Sequence, residues 1–96
     1  MRIKPGVRVR GLKPEAVIAL IVAKGVYEAH GYECVLTSGT DGSHSSGSYH
    51  YTGEAIDLRL PPADSQLVRD ELAERLGADY DVILESDHIH CEHDPD

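Results

Sequence analysis

The chain has 96 residues, of which 17 are acidic and 9 are Lys or Arg, and its formal charge at pH 7 is -8. This length corresponds to one domain with a thin core, so we treat residues 1–96 as a single domain. The acidic balance argues against nucleic acid as a partner, because phosphate binding needs clustered Lys and Arg. The longest apolar run, residues 16–23, is too short to span a bilayer, and two cysteines cannot form a disulfide framework.

The first half of the chain predicts a strand, a helix and a second strand. Alternating valine and arginine at residues 7–10 predict a short edge strand. Pro14 suits the first turn of a helix that runs to His30 and ends before Gly31. The positions expected to recur at helical spacing along it are Val17, Leu20, Ile21, Lys24 through its aliphatic stem, Tyr27 and Glu28. Residues 33–37 predict a buried strand, because consecutive apolar residues stand at its centre.

A polar loop and an alternating strand follow. Serine and glycine dominate residues 38–47, which predict a loop, and a long loop in a small domain is usually functional. Residues 54–60 alternate between apolar and polar side chains and predict a strand that a Pro-Pro pair ends. The side chains expected to face the core are Ile56, Leu58 and Leu60. The side chains expected on the other face are Ala55, Asp57 and Arg59.

The last third predicts a second helix. Asp64 or Ser65 is expected to cap it, and it runs to about Leu76, with Gly77 at its end. Its expected apolar stripe consists of Leu67, Val68, Leu72 and Leu76.

Two short strands complete the predicted elements. They lie at residues 81–84 and 88–92, or form one strand interrupted at residues 86–87. The order of elements, with short connections at the end, favours an α+β domain with a mainly antiparallel sheet and two packed helices.

Histidine is the most informative residue type, with six in the chain, mostly beside acidic residues of the second half. His88 and His90 share one face of the last predicted strand. If the strand at residues 54–60 is its neighbour, histidine and the carboxylate of Asp57 converge there. Two imidazoles and one carboxylate are a common catalytic zinc set, with a fourth position for water. The spacing alone also fits surface histidines on an edge strand, so both interpretations stand at this level.

Two local motifs carry a family resemblance. Residues 48–57, SYHYTGEAID, resemble the S-x-H-x-x-G-x-A-x-D signature of the zinc D-alanyl-D-alanine carboxypeptidase and L-alanyl-D-glutamate endopeptidase family. Residues 87–90, DHIH, resemble its second signature, an acid three residues before the last ligand within an H-x-H pair. Residues 84–94 are similar to small phage and prophage members, and residues 88–91 resemble the H-I-H-C stretch of the hedgehog signalling domain. The resemblance covers about half the chain and implies the hedgehog/DD-peptidase fold.

The two signatures together imply a metal site. Carried over position by position, the resemblance makes His50, Asp57 and His90 the ligands of a zinc ion. Gly53 would form a tight turn out of the loop, and the small side chain of Ala55 would leave room at the metal.

The second signature implies the catalytic groups. Asp87 would be the general base that takes a proton from water and returns it to the leaving amine. His88 would stabilise the oxyanion. Glu85 stands three residues before His88 and competes with Asp87 for the role of base; its other interpretation is a surface carboxylate at the end of a strand.

Three further residues are expected on the substrate side. His44 is a substrate contact at the rim of the cleft, a proton partner or an exposed loop histidine. Ser48 is expected to bond within the loop and to help orient His50. Arg59 either holds a substrate carboxylate or forms a salt bridge that orients a neighbouring acid. Larger members of the family place a substrate-binding arginine shortly before the first signature, whereas residues 37–42 contain none.

The remaining histidines and the cysteines have structural interpretations. His30 is expected to end its helix near the negative end of the helix dipole. His93 and Asp94 are expected to belong to the tail. Cys34 and Cys91 are expected to be small buried hydrophobic residues rather than ligands.

The function that the resemblance implies is zinc-dependent hydrolysis of a peptide bond in the peptidoglycan stem, either a D,D- or an L,D-bond. The expected partner is the stem peptide, without nucleic acid or a membrane span. No signal peptide is recognisable, so the chain is expected to be made in the cytoplasm and to act at the cell wall after release or virion delivery. The alternatives are a zinc-containing cell-wall-binding module without turnover and a phage structural component that docks on the wall.

Overall fold

The computed structural model describes residues 1–41, 49–50 and 52–95. Two helices and one five-stranded sheet account for its regular structure within these residues. The elements in chain order are β1 (Arg2–Ile3), α1 (Pro14–Ala29), β2 (Val35–Ser38), β3 (Ala55–Arg59), α2 (Ser65–Leu76), β4 (Tyr80–Leu84) and β5 (His88–His93). The predicted α+β class is confirmed, since the sheet has the order β1-β2-β3-β5-β4 and only the β1–β2 pair is parallel.

The first strand lies earlier than the sequence predicts. β1 pairs Arg2 with Val35 of β2, while residues 7–10 form no strand. The reason is a turn at Gly6, whose φ of 90° redirects the chain and lets the Val7 N–H donate to the Lys4 carbonyl at 3.2 Å. Residues 7–10 therefore lie against the segment that follows β2, and they pair with none of the described strands.

Helix α1 begins at Pro14 as predicted, but it buries a different face. Leu20 and Tyr27 are buried as expected, whereas Ile21 is 64% exposed. Alanines occupy much of the buried face, which consists of Ala16, Ala19, Leu20, Ala23, Val26 and Tyr27. Small side chains allow the helix backbone to approach the sheet. The predicted face, which included the larger residues Val17 and Ile21, was therefore wrong. Lys24 lies outside, where its ammonium pairs with Glu28 at 2.9 Å.

Helix α2 has the predicted bounds, but its start is built differently. Asp64 precedes the helix with a left-handed φ of 61° and makes no capping hydrogen bond with its side chain. Its carboxylate instead accepts a hydrogen bond from the Tyr32 hydroxyl at 2.8 Å. Val68 and Leu72 are buried as predicted, whereas Leu67 is 56% exposed. The expectation for Leu67 was therefore wrong, because the helix contacts the core over a narrower face.

The core lies between one face of the sheet and the two helices. Ile56 and Leu58 of β3 point into it, and so do Ile89 and Cys91 of β5. Because side chains alternate along a strand, the intervening residues of β3 and β5 lie on the opposite face of the sheet. That opposite face carries the candidate site. Cys34 and Cys91 are both buried and free, as predicted. Across the described residues, neither helix has the length and hydropathy needed to cross a membrane.

Candidate metal centre

The pairing of β3 with β5 places Asp57 directly opposite His90. The Nδ1 atom of His90 lies 2.9 Å from Oδ1 of Asp57. His50, in the turn before β3, brings its Nε2 atom to 3.1 Å from the same oxygen and to 3.3 Å from Nδ1 of His90. The structure thus brings together the three side chains for which the sequence predicts a shared site.

These distances fit one cation bound by three donor atoms. Two metal–ligand bonds of about 2.0–2.1 Å at a tetrahedral angle place their donor atoms about 3.3 Å apart. The three pairs of facing atoms in the site lie between 2.9 and 3.3 Å apart. His50, Asp57 and His90 could therefore bind a metal ion.

The backbone fixes the orientation of His50. Its Nδ1 atom lies 2.7 Å from the carbonyl oxygen of Gly39, which can only accept a hydrogen bond. Nδ1 therefore carries the proton, and in the neutral ring the lone pair is on Nε2, the atom that faces Asp57. His50 is only 2% exposed, so this orientation is held inside the protein.

A second carboxylate fixes the orientation of His90. Its Nε2 atom lies 2.7 Å from Oε1 of Glu92, two residues along the same strand. Since a carboxylate accepts hydrogen bonds, Nε2 donates, and the neutral ring presents the Nδ1 lone pair to Asp57. This is the arrangement in which a carboxylate supports a metal-binding histidine from behind. Sequence analysis missed Glu92, although its period-2 spacing from His90 was a signal for a shared face.

The charge balance of the site is compatible with a bound cation. With both rings neutral, two nitrogen lone pairs and one carboxylate oxygen face one another, and none of them can donate a hydrogen bond. Burial raises the pKa of Asp57, but the adjacent imidazoles of His50 and His90 outweigh it and hold that pKa below its usual range. Burial lowers the pKa of His90, but Asp57 and Glu92 outweigh it and raise that pKa above the usual value. Both shifts favour a positive charge between the facing atoms of Asp57 and His90.

His88 lies at the margin of the three ligand candidates. Its Nε2 atom is 3.6 Å from Oδ1 of Asp57, and its Nδ1 atom is 2.6 Å from Oδ1 of Asp87. The Asp87 side chain is 84% exposed, so it holds His88 from the solvent side. Of the two carboxylates proposed as a base, Asp87 is the one that contacts a site histidine. Glu85 is exposed, and its backbone N–H closes the turn between β4 and β5 by donating to the His88 carbonyl at 2.9 Å.

The tight turn expected at Gly53 is present. Gly53 has a φ of 80°, and a Cβ atom at this position would collide with the carbonyl oxygen of Gly11. Ala55 is fully buried and lies opposite Glu92 in the sheet. Residue 53 is therefore restricted to glycine both by its backbone conformation and by its contact with the N-terminal segment.

The structure places the other predicted site residues as follows. Arg59 lies opposite His88 in the sheet and is exposed; it forms no salt bridge with any described acidic residue, so the expected orienting ion pair is absent there. His44 and Ser48 lie outside the described residues.

The remaining histidines lie elsewhere. His30 follows the last residue of α1 as predicted, and its Nε2 atom pairs with Glu71 of α2 at 2.9 Å. The expectation that His93 belongs to a tail was wrong, because β5 extends to this residue. The His93 ring packs against Tyr80 of β4, with ring centroids 5.0 Å apart. The backbone N–H of Asp94 donates to the Asp79 carbonyl at 2.8 Å, so Asp94 is also attached to the fold.

Comparisons with protein-family models, with curated proteins and with solved structures found no significant match. The interpretation of the site therefore depends on its own geometry and on the motifs of the sequence.

Proposed function

We propose that this chain is a small zinc-dependent peptidase that hydrolyses a peptide bond in the stem peptide of bacterial peptidoglycan. The observation that carries the proposal is the convergence of His50 Nε2, Asp57 Oδ1 and His90 Nδ1 within 3.3 Å of one another. Two imidazoles and a single carboxylate match the ligand sets of catalytic zinc sites. Nitrogen donors favour zinc over magnesium and calcium, which prefer all-oxygen sites.

The roles of the neighbouring residues are proposed from the second sequence motif. A metal bound here would polarise a substrate carbonyl and make water a stronger acid. In our proposal the carboxylate of Asp87 accepts the proton of the attacking water and returns it to the leaving amine. His88, whose Nε2 atom lies 3.6 Å from Asp57, would donate a hydrogen bond to the oxyanion from Nε2 as an imidazolium, because the proton on Nδ1 is shared with Asp87. The 2.6 Å contact of Asp87 with the other nitrogen of His88 would keep that ring in place.

The substrate is proposed from the two sequence motifs. Residues 48–57 and 87–90 resemble the two signatures of the zinc D-alanyl-D-alanine carboxypeptidase and L-alanyl-D-glutamate endopeptidase family. The peptide bond of the proposed reaction is a D,D- or an L,D-bond of the stem. The similarity of residues 84–94 to small phage members favours a role in phage-mediated wall degradation.

The proposal is tested by measuring the release of amino groups from purified peptidoglycan. We expect zinc-loaded wild type to release them and a chelator to stop the release. Asp87→Asn should lower the rate at least about a hundredfold, the usual contribution of general acid–base catalysis. Glu74→Gln, which removes the same charge from an exposed position on α2, is the matched control and should keep full activity. Activity that survives both chelation and the Asp87 change would refute the mechanism.

A second candidate function is a zinc-containing module without turnover. The positions of the ligand candidates favour this function, because they lie on β3, on β5 and in the turn before β3. A metal bound by all three would cross-link these parts of the fold. This alternative predicts tightly bound zinc, a large loss of thermal stability on chelation and no product from any stem peptide. Retention of the chain on cell-wall material without product formation would favour a docking role.

A further inference from the structure

Helix α1 has an exposed apolar face on the side opposite its buried residues. Val17 is 40% exposed, Ile18 is 51% exposed and Ile21 is 64% exposed. Residues three or four apart on a helix are neighbours on its surface, so these side chains form one contiguous patch. Single apolar residues are common on a protein surface, whereas a contiguous exposed patch indicates an interaction surface.

A glycine lies on the same face, and the fold of the single chain does not require it. Gly25 is exposed and follows Ile21 by about one helical turn. Its φ is not positive, and a Cβ atom there would meet no described atom within 4 Å. Glycine inside a helix is less favourable than alanine, because it gives up more backbone freedom on folding. Close approach of a second helix to the exposed face would account for its presence.

Opposite charges lie at the two ends of this face. Lys13 immediately precedes the helix, about two turns before Ile21, and Glu28 lies two turns after Ile21. Lys13 is exposed and forms no ion pair with any described acidic residue. Glu28 contacts Lys24 at 2.9 Å and the Met1 ammonium at 3.6 Å, and its side chain remains 47% exposed. The face therefore has a basic end, an apolar centre and an acidic end.

An antiparallel pairing of two α1 helices matches all of these features. With a two-fold axis at Ile21, residues at equal distances before and after it face each other in the two copies. Val17 of one copy then faces Gly25 of the other, so a branched side chain lies over a residue that has none. Lys13 of one copy lies beside Glu28 of the other, and symmetry repeats this pair at the opposite end. The face is thus complementary to itself in shape and in charge.

We propose that α1 is a self-association surface through which two copies of this chain form an antiparallel, two-fold symmetric dimer. The charges favour a second copy over a lipid surface. Helices that lie on membranes are rich in Lys and Arg, whereas this face has ends of both signs and the chain has a formal charge of -8. One helix pair buries less than the roughly 1,600 Å² of a typical stable complex, so the dimer is a transient one.

This inference is independent of the peptidase proposal. Helix α1 packs on the core face of the sheet, and the candidate metal centre lies on the other face. The dimer therefore leaves the centre open, and zinc should not change its Kd.

Sedimentation equilibrium of the full chain, with and without zinc, tests the proposal. We expect a monomer–dimer equilibrium with a Kd of about 10–100 μM, as for a small interface. Ile21→Lys places two like charges at the two-fold axis and should raise the Kd at least about tenfold. The matched control is Ile83→Lys, the same change at an exposed isoleucine that lies opposite His90 on the other face of the sheet. This control should leave the Kd unchanged.

Exchange of charges tests the antiparallel register. Lys13→Glu alone should raise the Kd, because acidic residues then face each other, and Glu28→Lys alone should raise it through facing basic residues. The double variant restores opposite charges across the axis and should return the Kd to within about threefold of wild type. The two positions lie at opposite ends of α1 in one copy, so a contact within a single chain cannot produce this compensation.

Gly25→Gln separates self-association from the stability of the helix. Glutamine is a better helix former than glycine, so the dilute variant should resist urea better than wild type. Its longer side chain occupies the space next to Val17 of the second copy, so the Kd should rise at least about fivefold.

Several outcomes would overturn the dimer. They are a monomer at about 1 mM, an unchanged Kd in the Ile21→Lys variant, and a double charge variant that associates no more tightly than the single ones. Association that requires zinc would indicate copies bridged by metal and would also reject it. Binding of a monomeric wild type to vesicles of phosphatidylcholine and phosphatidylglycerol, lost in Ile21→Lys, would assign the face to lipid instead.

Discussion

Nδ1 of His50 donates to the carbonyl oxygen of Gly39 across 2.7 Å, and this bond determines which nitrogen of His50 faces Asp57. Gly39 occupies its position because it has no side chain: a Cβ atom there would collide with the Arg8 carbonyl oxygen. The orientation of His50 therefore depends on Gly39 and on the backbone of Arg8, which packs against that glycine. This chain of contacts can be tested one residue at a time.

We expect Gly39→Ala to weaken both the fold and the metal site. The added methyl group must displace the Arg8 backbone, and overpacking of this kind costs about 1–3 kcal/mol of the free energy of unfolding. The shifted carbonyl should also reduce zinc affinity about 10–100-fold through the lost support of His50. Urea unfolding and zinc competition with a chelating dye measure the two effects. Gly25→Ala is the control, because open space surrounds that helical position and the change should stabilise α1.

Equal stability of the two glycine variants would show that the Arg8 backbone moves away from residue 39 without lowering the free energy of unfolding. An unchanged zinc affinity of the Gly39 variant would show that the support of His50 by the Gly39 carbonyl does not contribute to metal binding.

Glu92→Gln should weaken zinc binding while leaving the fold intact. The carboxylate holds Nε2 of His90 at 2.7 Å and makes the ring a stronger ligand, and loss of such a partner typically lowers metal affinity about 10–100-fold. Asp81→Asn is the control, since Asp81 lies opposite Glu92 in the sheet, is exposed and carries the same charge. A similar loss of affinity in both variants would mean that general negative charge, rather than the contact with His90, strengthens the site.

The sequence predicts much of this site because alternation along a strand is a local property. The period-2 pattern of β3 separates Asp57 from Ile56 and Leu58, and the structure has this separation. The same rule places His88 and His90 together on β5. The predicted convergence was conditional on β3 and β5 being neighbours, and the sheet pairs them.

The parts that sequence analysis did not predict depend on contacts between distant segments. The support of His50 by Gly39 spans a loop, and no periodicity indicates it. The buried face of α1 was predicted wrongly because close packing of alanines replaces the burial of Val17 and Ile21, which are both exposed. The contact of Arg8 with the segment after β2 depends on the turn at Gly6, which the alternating pattern of residues 7–10 does not indicate.

Zinc should stabilise the chain, and Asp57→Ala should abolish that effect. A ligand that binds only the folded state adds about 2.7 kcal/mol to the free energy of unfolding at a concentration of 100 times its Kd. Asp57 supplies the oxygen that lies within 3.1 Å of both imidazoles, so its removal takes away the anionic ligand of the site. Thermal unfolding with and without zinc measures the shift. Persistence of the full zinc-dependent shift in the Asp57 variant would place the metal at another site.

The metal-free chain should lose stability at acidic pH because of Asp57 and at alkaline pH because of His90. The lowered pKa of Asp57 contributes stability above its unfolded value of about 3.9, and this contribution is lost as the pH falls through the folded pKa. The raised pKa of His90 contributes stability below about 6.5, and this contribution is lost as the pH rises through the folded pKa. Urea unfolding in the presence of a chelator should therefore show greatest stability between about pH 4 and 6.5.

Zinc should stabilise the chain at the alkaline pH values at which the metal-free chain loses stability. Metal binding requires the deprotonated ligands, so zinc stabilisation should grow as the pH rises towards 8, where the metal-free chain weakens. His90→Gln should remove both the alkaline loss without metal and the zinc-dependent gain. A zinc effect that is the same at pH 5 and pH 8 would show that metal binding releases no proton from a ligand in this range.

The two thiols should react only when the chain unfolds. Burial raises the pKa of Cys34 to about 12, and burial also raises the pKa of Cys91, so neither thiol forms a nucleophilic thiolate near neutral pH. Both side chains belong to the core beneath the sheet, where a disulfide reagent cannot reach them. We expect labelling at pH 8 to be slow in the zinc-loaded chain, and to accelerate in the chain with Gly39→Ala in proportion to its unfolded fraction. Rapid labelling of native protein, at a rate that does not respond to zinc, would show that one edge of the core opens without global unfolding.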